Sequence, residues 1–299
     1  MTLSILVAGL VTGSIYGLLA LGYHLTFIVS RTVNFSQGAS LMVGAVLLYQ
    51  TNVVWGLSAW LAVPLVLGVC ALFGLLIERF AVRPFAGGGA AGGMSGGGEP
   101  IAWLMSTIAL GIVVENAARL SFGKESRSLP SVLAASPMRV MGAGIYPIEI
   151  LIPLAGGLIA LGLWWLSRRS LAGRALLAAA QNREAAALQG IDVQRLIQLT
   201  YALSTALAGL AGILVAPKLN VAAGMGTMFG LKAFAAAIIG GIGSAPGCLI
   251  AGLGYGLLEA LIAATLPSAW RDILGFALVI VVLAIRPVGL FGRARIEKV

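Results

Sequence analysis

An all-α polytopic membrane protein is the fold class this sequence predicts, and three observations predict it. Of 299 residues, 60% are hydrophobic and 10% charged, where soluble domains carry roughly 25% charged residues. The mean hydropathy is +1.02, and the apolar residues fall into long runs, many near the ~20 residues a helix needs to cross the ~30 Å hydrocarbon core. Glycine contributes 41 residues, about twice its usual ~7% share, which lets membrane helices approach closely and suits a packed bundle. These runs predict about eight to nine transmembrane helices in a single domain over residues 1–299.

The first span, 3–29, is long and holds only His24 as a chargeable group. It lacks a cationic start and a small-residue cleavage site, so it is expected to stay as a helix of the mature protein. Arg31 and Thr-Val-Asn-Phe-Ser-Gln-Gly (32–38) follow, then an apolar piece at 39–49. At ~1.5 Å per residue that piece reaches about half way across the core, and a short Gly-interrupted segment points to a broken helix near a substrate path. Residues 57–80 span again, closed by Glu78, Arg79, Arg83 and Pro84. Residues 85–99 read as a Gly-rich flexible linker. Residues 101–122 span and carry Glu115, Asn116 and Arg119; after a mixed loop, 147–166 span, with Trp164 and Trp165 as interface anchors. A polar island runs from Arg168 to Asp192. Residues 196–216 span, 230–241 form a second short piece containing Lys232, and 240–247 (G-G-I-G-S-A-P-G) form a turn. Residues 249–266 and 270–285 are the last spans, before a basic tail with Arg286, Arg293, Arg295 and Lys298.

Lys and Arg concentrate in the island, the Arg79/Arg83 loop and the tail, so these are expected in the cytoplasm. Both short pieces counted, the crossings are odd in number, with the N-terminus periplasmic and the C-terminus cytoplasmic. The order long, short, long, long describes 3–122 and again 196–285. The linking helix 147–166 between them inverts the second copy. Inverted repeats with two short broken segments are a transporter architecture.

The net charge of +9 sits at span ends, as membrane topology demands, and gives no case for nucleic acid. No G-x-x-x-x-G-K-[ST] phosphate loop, G-x-S-x-G elbow or metal-spaced cluster is present, so no catalytic residue, metal ligand or bound cofactor is assigned. Cys70 and Cys248 lie in apolar spans and suggest no pairing; His24 reads as an interfacial side chain. Candidates for a translocation path are the polar residues of the two broken regions, Asn34, Ser36, Gln37 and Ser40 in the first and Lys232 and Ser244 in the second. Glu115 and Asn116 join them, because an acid inside a span is functional by default, although Arg119 one turn on offers Glu115 a partner. Glu259 invites the same suspicion.

The island at 168–192 is the longest stretch that cannot lie in hydrocarbon. Gly173 is expected to break the preceding helix, residues 174–188 to form one short helix, and Gly190 to end it at a C-cap. A stiff helix parallel to the membrane either transmits a push from a partner or simply lies on lipid, and the residues alone leave both open.

E-A-A-x-L-x-G-I at 184–191 resembles the coupling motif of ABC importer permeases. N-F-S-Q-G-A-S-L-M-V-G-A (34–45), E-R-x-x-x-R-P (78–84), S-T-I-A-L-G (106–111), F-G-x-x-x-R-S-L-P (122–130), G-R-A-L-x-A (173–178) and K-A-F-A-A-A-I-I-G-G-I-G-S-x-P-G (232–247) resemble the LivH/LivM-type permeases of branched-chain amino-acid ABC importers, the first phrase favouring the H-type subunit. Where that family often has a second basic residue after G-R-A-x, Leu177 stands here. The resemblance implies a multi-pass permease of the bacterial inner membrane, not itself an enzyme. It implies a second, LivM-type permease subunit, two cytoplasmic ABC ATPases carrying ATP and Mg, and a periplasmic substrate-binding protein. Gly173, Arg174, Asn182, Glu184, Ala185, Ala186, Leu188 and Gly190 would form the ATPase-coupling surface. Urea or short amides are alternative substrates, and an ATP-independent secondary transporter or channel is the alternative class.

Overall fold

The structure is a computed structural model and describes residues 2–85, 101–130, 136–140, 143–267 and 269–292. It is helical, as the composition predicts. The helices are α1 (Thr2–Ser30), α2 (Gln37–Tyr49), α3 (Ala59–Leu76), α4 (Ala102–Phe122), α5 (Pro147–Arg169), α6 (Leu171–Gln181), α7 (Arg183–Leu188), α8 (Val193–Val215), α9 (Met225–Gly240), α10 (Ala245–Thr265) and α11 (Ala269–Ile285). Single π turns extend α2 over Gln50–Val54 and α3 over Ile77–Val82. A small hairpin, β1 (Met138–Val140) with β2 (Ala143–Ile145), pairs antiparallel with Met138 opposite Ile145. Among the described residues six helices, α1, α3 with its π turn, α4, α5, α8 and α10, are long and apolar enough to cross a membrane, and α9 is a shorter apolar helix. The Gly-rich stretch at 86–98 and the tail residues Arg293, Arg295 and Lys298 lie outside the described residues.

Two expectations about the short pieces are corrected. The piece at 39–49 is longer than its apolar run, because α2 starts at Gln37 and its 13 residues continue through a five-residue π turn. That gives roughly 27 Å at ~1.5 Å per residue, enough to approach the far side of the core. Polar Gln50, Thr51 and Asn52 hide this continuation in the sequence. The Thr51 hydroxyl donates back to the Leu47 carbonyl at 2.8 Å, and Asn52 Nδ2 donates to the Leu57 carbonyl at 3.0 Å, so these side chains are used up locally. The second piece likewise begins at Met225, not at 230.

The chain divides into two compact units. One comprises Met1–His24, Pro130–Ala160 and Leu231–Val299; the other comprises Leu25–Leu129 and Leu161–Gly230. In the first unit α1 packs on α10 along a seam of small residues. A Cβ added to Gly9 or Gly13 would stand 2.8 Å from the Cα of Leu257 or Leu253, and one on Gly252 would stand 2.5 Å from the Gly17 nitrogen. Tyr23 on α1 also meets Phe234 on α9 edge-on, 5.5 Å between centroids. In the second unit α8 packs on α3 and α2 in the same manner. A Cβ on Gly209 would collide with the Cys70 side chain, one on Gly74 with Thr205, and one on Gly44 with Gly209. Thr205 Oγ1 donates to the Cys70 carbonyl at 2.8 Å across this seam. Gly38 of α2 and Gly226 of α9 touch backbone to backbone. With no hydrophobic drive between helices in lipid, such close approach and cross-helix hydrogen bonds are what hold the bundle.

The island is two helices, not one. Ser170 Oγ accepts from the Gly173 nitrogen at 2.9 Å and caps α6, so the break before it falls at Ser170. Gly173 sits inside the first turn of α6, where a Cβ would stand 2.5 Å from the Ser167 carbonyl oxygen. The second break is at Asn182, extended at φ −151°, whose Oδ1 accepts from the Ala185 nitrogen at 3.1 Å and caps α7. This N-cap geometry satisfies a donor that would otherwise be orphaned at the start of a helix.

Candidate functional site

The E-A-A…G phrase becomes a helix-ending device. Gly190 is left-handed at φ 80°. Its nitrogen donates to the Ala187 carbonyl at 3.0 Å, and the Ile191 nitrogen donates to the Ala186 carbonyl at 3.1 Å. This is the Schellman arrangement, which needs a residue tolerant of positive φ at that place. Ala186 turns inward and packs with Val29, Ala179 and Leu196, while Ile191 closes over the same cluster. Glu184, Ala185, Leu188 and Gly190 therefore point away from the bundle, with Arg174 and Asn182 also exposed. Leu188 is 88% exposed, in a segment flanked by α5 and α8.

The four path candidates of the first break come together in the second unit. Asn34, Ser36, Gln37 and Ser40 are all buried. Asn34 Oδ1 accepts from the Ser36 hydroxyl at 2.6 Å and from its nitrogen at 3.1 Å. Gln37 Nε2 donates to the Ser204 carbonyl at 3.0 Å, and Ser204 Oγ donates to Gln37 Oε1 at 3.1 Å. Ser40 donates to the Ser36 carbonyl at 3.1 Å. Irregular backbone is tolerated at membrane depth where it is buried in protein and its groups are paired, and this network does the pairing.

A second polar group lies at the end of α1. Thr32 Oγ1 is 2.8 Å from the Tyr201 hydroxyl and 2.6 Å from Ser30 Oγ. Glu78, buried in the π turn after α3, accepts from Gln194 Nε2 at 2.5 Å through Oε1, and its Oε2 has no partner among the described residues. A π turn with an unsatisfied carboxylate is the kind of local irregularity found at functional sites. Sequence reasoning passed over Ser204, Tyr201, Thr32 and Gln194. Thr200 and Ser204, one turn apart in an apolar span, were the legible signal.

Glu115 is paired as its spacing allows: Arg119 Nη2 donates to Oε1 at 2.5 Å, and Thr227 Oγ1 of α9 donates to Oε2 at 2.6 Å. Asn116 is exposed and donates to the Ile112 carbonyl of its own helix at 2.8 Å. Ser244 is an N-cap: its hydroxyl accepts from the Gly247 nitrogen at 3.2 Å and opens α10. The G-G-I-G-S-A-P-G turn is thus built on Gly241 at φ 86°, the Ser244 cap and Pro246 in the first turn. His24 is buried and not interfacial; its Nδ1 donates to the Ile242 carbonyl in this turn at 2.8 Å.

Lys232 and Glu259, 4% and 5% exposed, form a charged centre in the first unit. Lys232 Nζ lies 2.5 Å from Glu259 Oε1 and 2.7 Å from Asp272 Oδ1, and Arg271 Nε lies 2.7 Å from the same Glu259 oxygen. Tyr16 donates to Glu259 Oε2 at 2.6 Å. Two cations face two anions, so the centre is neutral overall, as burial in a low dielectric requires. It ties α1, α9, α10 and α11 together. Arg271 and Asp272, its two half-exposed members, were not singled out from the sequence. Among the described residues no group of His, Cys, Asp and Glu has the geometry to hold a metal, and both cysteines are free and buried.

The profile of the family described as "Branched-chain amino acid transport system / permease component" matches residues 5–283. The chain is 33% identical over 307 residues to the high-affinity branched-chain amino acid transport system permease protein BraD of Pseudomonas aeruginosa, covering 98% of this chain and 97% of that protein. It is 33% identical over 304 residues to the permease protein LivH of the corresponding system in Escherichia coli, covering 97% and 96%. Among solved structures, PsaBC from Streptococcus pneumoniae in complex with Fab is similar at a TM-score of 0.46 and 16% identity, over 92% of this chain and 88% of that one. A profile match over nearly the whole chain, and full-length relatives at one-third identity, join the motifs and the polytopic helical fold: the chain belongs to the family of permease components of branched-chain amino acid transport systems.

Proposed function

We propose that the chain is the LivH-type membrane subunit of an ATP-driven ABC importer for branched-chain amino acids, alternating access to its substrate under the push of ATPase partners. One observation carries this reading. The α6–α7 segment is anchored by Gly173, Ala179 and Ala186 and presents Arg174, Asn182, Glu184, Ala185, Leu188 and Gly190 outward. A capped, rigid element with an exposed polar-and-apolar face can be biased by a partner and can bias the helices that flank it, which is what coupling requires. In this reading two ATPases hold ATP and Mg and dock there. A LivM-type permease completes the membrane part, and a periplasmic binding protein delivers the amino acid. The chain lies in the bacterial inner membrane with its N-terminus periplasmic and its C-terminus cytoplasmic.

The inverted repeat is supported by reciprocal pairing. In the first unit the leading helix of one copy, α1, packs on the third helix of the other, α10; in the second unit α8 packs on α3. The equivalent short helices, α2 and α9, meet at Gly38 and Gly226. Reconstitution with the cognate subunits tests the reading. Leucine, isoleucine or valine with the binding protein should stimulate ATP hydrolysis, whereas Glu184→Ala should lower coupled uptake about tenfold while hydrolysis by the ATPases persists. Uptake at the wild-type rate in Glu184→Ala would remove the coupling role, and stimulation by urea alone would remove the substrate class.

A further inference from the structure

Two arginines, Arg31 and Arg183, flank the break between α6 and α7. Arg31, just past α1, donates through Nη2 to the Ala180 carbonyl near the end of α6, 3.2 Å away. Its backbone is left-handed at φ 55°, the one non-glycine residue with positive φ among the described residues. An arginine adopts that conformation rarely, and such residues concentrate where function holds them. Arg183 opens α7, and its Nη2 is buried without a hydrogen-bond partner among the described residues, although a guanidinium has five donors to satisfy. Burial first, and the charge of Arg31 second, pull Arg183 below the ordinary arginine pKa. Among the described residues no Asp or Glu pairs with either group. Glu184, next in the chain, is exposed.

We propose that Arg31 and Arg183 form an anion seat for a carboxylate side chain of the ATPase subunit that docks on α6 and α7; the inference rests on the importer reading above. A carboxylate offers two acceptor oxygens in one plane, so it satisfies the orphaned Arg183 donor and cancels the repulsion between the two cations in one contact. A protein side chain fits the surroundings better than a lipid headgroup does. Leu188, 88% exposed on the same short helix, offers the apolar contact that anchors a protein interface next to a charged pair.

The test is salt-resolved co-purification of the assembled transporter with its cognate ATPases. Arg183→Gln and Arg31→Gln should each lower the ATPase retained at about 0.3 M NaCl by roughly tenfold. The double variant should lose little more than either single one, because both serve one carboxylate. Arg183→Lys, which keeps the charge, should retain about half of the wild-type binding. Arg79→Gln, an equal charge change at an exposed residue of α3's π turn, should stay within about twofold of wild type, and all variants should elute as the wild type does in size exclusion. Wild-type ATPase retention in both glutamine variants overturns the seat while leaving the importer reading intact; no ATPase on the wild-type chain overturns the reading itself. Repeating the assay in nanodiscs with and without phosphatidylglycerol isolates the lipid source. A loss confined to phosphatidylglycerol discs means the seat takes a headgroup, which also overturns the proposal.

Discussion

Single residues here are specified by backbone conformation and by charge balance more than by size. Gly190 has open space where a Cβ would go, so its requirement is its positive φ. Gly190→Ala should cost about 1 kcal/mol, which lowers the equilibrium constant for the closed turn about fivefold, and coupled uptake should fall by up to that factor while global stability barely moves. Gly190→Asn, which tolerates the left-handed region, should restore most of it; equal uptake in the alanine and wild-type chains would mean the turn does not matter to coupling. Lys232 is specified by its partners. Removing it leaves the buried Glu259 with Arg271 and takes from Asp272 the cation it faces, an imbalance of one charge that should cost on the order of 3 kcal/mol. Lys232→Met/Glu259→Gln restores neutrality and should recover much of that loss in thermal unfolding in detergent. Strictly additive losses would show that the residues are not coupled.

At the scale of elements, the helices are bound by seams that demand glycine on one face and nothing on another. On α10 a Cβ at Gly256 would run into Gly13 of α1, whereas one at Gly254, two residues earlier, meets nothing within 4 Å. Gly256→Leu should therefore cost more than about 3 kcal/mol and deplete the folded chain in the membrane, while Gly254→Leu should fold as the wild type does. Similar yields for both would dissolve the seam argument. The same contrast explains what was legible in the sequence. Long apolar spans were legible to within a few residues at most ends, because hydropathy and helix length report one physical constraint. The true length of α2 was hidden, since Thr51 and Asn52 look like loop residues until their hydrogen bonds to Leu47 and Leu57 are seen. In the island one break was placed at Gly173 instead of Ser170 and the other, at Asn182, was missed, because a glycine outweighed two capping residues. The path candidates at 34–40 were legible as polar residues in the wrong medium, but their partner Ser204 lay far along the chain. The Arg271 and Asp272 contributions were not legible, because nothing local ties the start of α11 to Lys232.

For the whole molecule the decisive quantity is the parity of crossings. Among the described residues α1 to α5 and α8 to α11 lie in series, with α6 and α7 as an excursion between α5 and α8. If all nine cross, the segment from Gly123 to Pro130 and the segment from Ala216 to Gly224 share one side, while the α6–α7 excursion and the turn at Gly241–Ser244 share the other. The repeat then inverts, because five crossings, α1 to α5, precede α8. A re-entrant α2 would make α8 enter from the other side, and a re-entrant α9 would put the island and the turn on opposite faces. Cys70 and Cys248 are both buried and free, so a cysteine scan needs only added thiols. Lys124→Cys and Asn220→Cys should react with a membrane-impermeant maleimide in intact cells, and Gln189→Cys and Gly243→Cys only after permeabilisation. Gly243 has room for the new side chain, with nothing within 4 Å of its Cβ position. Labelling of Gly243→Cys from outside, with Gln189→Cys protected, would make either α8 or α9 re-entrant and end the inverted-repeat reading. The expected pattern would instead keep all nine crossings, and with them the inversion of α8 to α11 relative to α1 to α4.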